Sequence, residues 1–399
     1  MLVFAACGGG GGGGKDAGAG KGGHGGGGSG GTGNTGGNTA GTGGTGNMGG
    51  GTAGGGSGGG GATGNAGMDG GAGADAATDT PVDMATDVKT DTGVDTGPDA
   101  YTQELSRGSY LVSVLGCKGC HGANLGGTDM FAHDTATNGY LSSANLTNDA
   151  TGIRDDSDQA IINAFTKGID PDSVDGGVTY LFANMPWYQF ANLTSDDAKA
   201  IVAYLRSVPP VNHAVAAPTG VFATPLTSPP WTATTLAELP NPIVPDGGAD
   251  GGTSSEMNGK YFASLLCVTC HTVTNGTTAP ISLVAAKAFQ GGKNVNVTLQ
   301  VPIDGGADAG DAGDAATTTS KALVVESANL TPDSTGLATW TAGQIELAVT
   351  KAQDKMSRGI CGMRANASIT AQDAADIAAY LQSIPAAVNN TGLSCYDMP

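Results

Sequence analysis

Two short segments place two thiols and an imidazole within five residues: Cys117-Lys118-Gly119-Cys120-His121 and Cys267-Val268-Thr269-Cys270-His271. Cysteines three positions apart share one face of a helical turn. Both sulfurs can therefore bond one rigid planar partner while the next residue reaches its centre. That is the geometry of covalent haem attachment, with thioether bonds from Cys117, Cys120, Cys267 and Cys270 to vinyl groups and His121 and His271 as proximal iron ligands. Two other chemistries use C-x-x-C: a four-cysteine zinc site built from two knuckles and a thioredoxin-like redox pair. The zinc reading leaves both histidines unused and needs knuckles from distant halves of the chain to meet. The redox reading needs a preceding strand and a βαβ context that the sequence does not offer. With seven Cys and five His in 399 residues, two chance copies of so specific a pattern are not expected.

The flanks of the motifs repeat, which is the mark of a duplicated unit. Gly108-Ser109-Tyr110-Leu111-Val112-Ser113 precedes the first motif, and Gly259-Lys260-Tyr261-Phe262-Ala263-Ser264 precedes the second, one residue closer to it. Ser143-Ala144-Asn145-Leu146-Thr147, then Asp149, Thr151 and Gly152, matches Ser327-Ala328-Asn329-Leu330-Thr331, then Asp333, Thr335 and Gly336. Ala203-Tyr204-Leu205 with Pro209 matches Ala379-Tyr380-Leu381 with Pro385.

Each copy reads as helical. One apolar-periodic stretch runs into the Cys motif, at about 103–117 and 255–267. A middle helix carries Ile161, Ile162 and Phe165, or Ile345, Leu347 and Val349. A last helix opens at Thr194 or Thr370, buries Ile201, Tyr204 and Leu205 or their equivalents Ile377, Tyr380 and Leu381, and stops at proline. The expected fold class is all-α.

Outside the repeats the composition changes. From Gly8 to about residue 100 the chain is Gly, Thr, Ala, Asn and Asp, too poor in apolar side chains to offset the entropy of ordering. It is expected to be a disordered tether, with a root-mean-square span of roughly 50 Å. The organisation read from sequence is a signal remnant at 1–7, tether 8–100, first domain 101–213, Pro-rich linker 214–252, and second domain 253–399 with a low-complexity insertion at 304–316. The net charge of −19 is spread along the chain without any basic patch, which excludes nucleic acid as a partner. No apolar run approaches the length of a membrane-spanning helix. The opening Met1-Leu2-Val3-Phe4-Ala5-Ala6-Cys7 resembles the end of a truncated bacterial lipoprotein signal, cleaved before Cys7 with acylation of its sulfur. A plain export signal or an unmodified end are the alternatives.

On the paired C-x-x-C-H motifs, the Asn145/Asn329 segments, Met185-Pro186 and the Tyr204/Tyr380 helix ends, residues 101–213 and 253–392 resemble class I cytochrome c domains. They are similar in particular to the cytochrome subunits of membrane-bound sugar and alcohol dehydrogenases. The resemblance implies two covalently attached haem c groups and a methionine as sixth iron ligand, on a loop before the last helix. In the first copy Met185 stands there, with a role as core filler the alternative. In the second, register to Tyr380 favours Met363 over Met356, although Arg364 replaces the proline. His133 and His213 lack counterparts in the repeat and are not expected to be ligands.

Cys361 and Cys395 are then left over. In an oxidising compartment they are expected to form a disulfide, worth about 3–4 kcal/mol for a loop of about 33 residues, with two free thiols as the alternative. The implied function is electron transfer outside the cytoplasm, in the periplasm or an equivalent space. The chain would be membrane-anchored through Cys7 and would pass single electrons from a dehydrogenase or quinol donor to a respiratory acceptor. The competing class is a two-haem peroxidase, in which one iron keeps an open site for hydrogen peroxide.

Overall fold

Six of the eight described α-helices start where a side chain satisfies one of the first free amides. Asp99 accepts the Thr102 amide at 2.6 Å and opens α1 (Ala100–Val114). The computed structural model describes residues 99–173, 177–243, 252–302, 318–360 and 362–391. Cys7, the tether up to residue 98, the 304–316 insertion and the expected Cys361–Cys395 bond lie outside the described residues.

The first copy continues with α2 (Cys117–His121), an antiparallel pair β1 (Thr128–Asp134) and β2 (Gly139–Ser143), α3 (Asp158–Lys167), α4 (Trp187–Phe190) and α5 (Ser195–Ser207). The second copy holds α6 (Ser254–Leu266), β3 (Asn294–Pro302), β4 (Thr318–Glu326), α7 (Ala342–Lys351) and α8 (Ala371–Ser383). Thr194 accepts from the Asp197 amide at 3.1 Å and Thr370 from the Asp373 amide at 3.0 Å, so the two final helices share one cap chemistry.

The all-α expectation is corrected. Among the described residues, eight α-helices are accompanied by two two-stranded sheets, and the fold is mixed. The cause is visible in the second copy. Val295, Val297, Leu299 and Val301 alternate with polar residues at period two, a strand pattern. This strand pairs in register with β4, from Asn294 opposite Glu326 to Pro302 opposite Thr318. In the first copy a shorter pair closes through Asp134, whose carboxylate accepts the Thr137 amide at 2.8 Å.

Within each copy the first and last helices cross at a glycine. A Cβ on Gly108 would fall inside the Ala200 carbonyl, and one on Gly259 would fall inside the Asp376 carbonyl. No other residue type permits so close an approach. The crossing buries Leu111, Val112, Ile201 and Leu205 in one copy and Phe262, Ala263, Ile377 and Leu381 in the other, and all belong to one continuous apolar core.

The copies also grip each other, reciprocally. Tyr261 of α6 donates to Asp197 Oδ2 of α5 at 2.6 Å, while its counterpart Tyr110 of α1 donates to Asp373 of α8. Each tyrosine thus reaches the first turn of the other copy's final helix. Arg107 adds a bidentate pair to Asp197, with both contacts at 2.7 Å. Asn258, in the equivalent position, donates to Asp373 at 2.9 Å. Burial raises the Asp197 carboxyl, but hydrogen bonds from Arg107 and Tyr261 outweigh it and hold the group below its ordinary range.

The segment expected to be a linker is laid along both copies. Tyr180 N–H donates to Leu226 O at 2.9 Å and Asn192 to Thr234 O at 3.0 Å. Further on, Tyr380 donates to Pro240 O at 2.8 Å and the Ile243 amide to Ser383 O at 2.7 Å.

Candidate haem-attachment sites

The first motif forms α2, set off from α1 by Gly116 in the left-handed region at φ 74°. The second has no such glycine. Its chain runs from α6 straight into a single turn, closed by Cys270 N–H to Cys267 O at 3.2 Å and His271 N–H to Cys267 O at 3.0 Å. Both arrangements deliver the thiols and imidazole from one turn. Burial pushes the Cys117 thiol up to about 11 and that of Cys267, aided by nearby Cys270, up to about 12. Both therefore remain thiols at neutral pH.

His121 is buried and its Nδ1 lies 2.7 Å from Ala144 O. His271 is half-buried, and its Nδ1 lies 2.8 Å from Ala328 O. A carbonyl cannot donate, so in both rings Nδ1 carries the proton and Nε2 keeps its lone pair. Desolvation lowers both imidazoles, and in His271 the Lys293 charge lowers it further, so the neutral form is the stable one. A neutral imidazole fixed at Nδ1 by a backbone carbonyl is the form a metal-ligating histidine takes. The residues present thus fit iron coordination through Nε2.

The repeated Asn segments explain how those carbonyls are held. Asn145 Oδ1 accepts from Thr147 N–H at 3.0 Å and its hydroxyl at 2.7 Å, while Nδ2 donates to Val211 O at 2.7 Å. Asn329 repeats this with Thr331 at 3.0 and 2.8 Å and with Ala387 O at 2.7 Å. Each amide locks the backbone just after the carbonyl that receives the imidazole proton. Sequence reading found the Asn segments but missed the two carbonyls, because a backbone atom leaves no mark in residue type.

Met185 sits in the turn before α4, half-buried against the core, with Trp187 N–H donating to Met185 O at 2.8 Å. Met363 is half-buried in the loop before α8, while Met356 is 67% exposed and Met130 is 60% exposed. Trp187 Nε1 and Asn184 Oδ1, beside Met185, are buried without hydrogen-bond partners. His133 stacks on Tyr140 and contacts Asn138 at 3.0 Å, on the exposed β1–β2 pair. Both His213 nitrogens are engaged, by Gly126 O at 2.8 Å and Asp129 at 3.2 Å.

Cys117, Cys267 and Cys270 are free thiols, with Cys270 exposed, and Cys120 is not among the free cysteines. Among the described residues no group of three or more His, Cys, Asp or Glu is placed to hold a metal ion, so the two C-x-x-C turns do not combine into a knuckle site. No described helix is long and apolar enough to cross a membrane.

No curated protein matches the chain. Residues 105–209 match the family model for cytochrome c, whose members hold haem c covalently, and this match supports a haem-based electron-transfer role.

Proposed function

We propose that both copies are class I cytochrome c domains, over 101–213 and 253–399, each holding one haem c. The chain would then act as a two-centre electron carrier rather than as an enzyme. The observation that supports this is the paired imidazole–carbonyl bond, at 2.7 Å in one copy and 2.8 Å in the other. The second copy thereby reproduces the iron-ready geometry of the copy that carries the family match.

Once bound, the group supplies one-electron chemistry at iron. The chain's own residues attach it through Cys117, Cys120, Cys267 and Cys270 and orient His121 and His271. Met185 and Met363 would supply the second protein ligand to iron, and soft thioethers there would favour the ferrous state and raise the potential. The donor is a dehydrogenase or quinol outside the cytoplasm, the acceptor is a respiratory redox protein, and Cys7 carries the lipid that holds the chain at a membrane. Exposed Met130 and Met356 are poor competitors for the sixth position, because a ligand must be turned inward.

The test is a spectroelectrochemical titration of the haem-loaded chain. Two reversible one-electron steps are expected, with the weak far-red ferric band of Met–iron bonds. That band should diminish in Met185→Ala and again in Met363→Ala. A high-spin ferric haem that turns over hydrogen peroxide would replace the carrier with the peroxidase reading.

A further inference from the structure

The segment between the copies places an aromatic contact between the two candidate iron sites. Trp231 is 3% exposed and stacks on Tyr188 with ring centroids 4.1 Å apart and planes 8° from parallel. Tyr188 belongs to α4, the short helix that begins just after Met185 and Pro186. Trp231 also meets the second motif. Lys293 Nζ lies 5.6 Å from the Trp231 ring centre and donates to Thr269 O, between Cys267 and Cys270, at 2.7 Å. The backbone around Trp231 is pinned there too, with Thr232 N–H to Ile281 O at 2.8 Å and Ile281 N–H to Pro230 O at 3.0 Å. A contiguous, largely dry row therefore runs from the Met185 turn through Tyr188, Trp231 and Lys293 to Thr269.

We infer that the Tyr188–Trp231 stack is the bridge through which the two iron sites exchange an electron. The inference rests on the reading of two bound haems. In the exchange one iron passes from ferrous to ferric and the other from ferric to ferrous. No bond forms or breaks and no proton moves. The chain need supply only orbital contact and the exclusion of water, and two buried rings in face contact supply both. Tyr188 and Trp231 are positioning residues in this role, since neither is an iron ligand.

The experiment uses the full haem-loaded chain. Haem is counted first by pyridine haemochrome; a count of one sinks the two-haem reading and the inference with it. With two haems present, one electron is injected photochemically and its redistribution followed at the two haems, distinguished by their midpoints. Trp231→Leu is expected to lose the fast redistribution phase, while Trp231→Phe, which keeps a ring on Tyr188, retains it. Spin relaxation between the ferric irons, which reads their separation, is expected to stay as in the parent protein. An unchanged fast phase in Trp231→Leu would overturn the inference. So would a lost phase accompanied by altered spin relaxation, because displaced haems would then account for the loss.

Discussion

The proton on Nδ1 of His121 and of His271 decides what each ring can do, and it is held by one carbonyl apiece. The Asn145 and Asn329 side chains keep those carbonyls in place, so their loss would reach the proposed iron ligands without touching either ring. Asn145→Ala or Asn329→Ala should each lower stability by about 1–3 kcal/mol, because buried partners are left unsatisfied. Thermal unfolding of the haem-loaded chain measures this, and an unchanged midpoint would contradict the role. His213 offers a pH test. The Gly126 carbonyl, first, and then Asp129 hold its protonated ring, so the folded pKa lies above the ordinary value of 6.5. Its stabilisation is therefore complete below that ordinary value and fades as pH rises through the folded one. His213→Gln should flatten the stability profile in that window, as read by denaturation at a series of pH values. The two C-x-x-C-H turns were legible in the sequence because they are a pattern of side chains. The carbonyls behind the imidazoles were not, because any residue type supplies a carbonyl.

At the scale of elements, the helices follow from signals that are local: a capping Asp or Thr, apolar spacing near 3.6, and proline at the end. The strands do not. In the second copy the alternation of Val295, Val297, Leu299 and Val301 was present, but the insertion at 304–316 separates it from its partner strand. In the first copy, Thr128–Asp134 shows no clean alternation, its side chains running from exposed to buried without a period of two. The helix crossings yield a sharper test. Gly108→Ala places a methyl where the Ala200 carbonyl lies and 2.8 Å from Tyr204 Cβ. The backbone cannot yield cheaply there, so a cost of about 1–3 kcal/mol or more is expected, with the same for Gly259→Ala. Urea denaturation reads both, and two silent substitutions would mean the helices do not cross at these residues.

Over the whole molecule, duplication was legible from three repeated landmarks, but the grip between copies was not. Tyr110 and Tyr261 mark the repeat in the sequence, but nothing in local periodicity shows that each reaches Asp373 or Asp197 of the other copy. Tyr110→Phe and Tyr261→Phe should each cost about 0.5–1.5 kcal/mol. Measured in urea, the pair should show coupling in a double-mutant cycle, because both rings meet Phe262 and Arg107 spans the Tyr110 ring and Asp197. The reciprocal contact matters for function because it holds both attachment turns in one body, with the Tyr188–Trp231 stack between them. All of it presumes that the two turns carry the same group. The most direct measurement is the intact mass of the full chain, produced with haem-ligation machinery and then extracted with acid–acetone. Two covalently retained haems are the result this account requires; a bare chain, or one bearing a single haem, would contradict it.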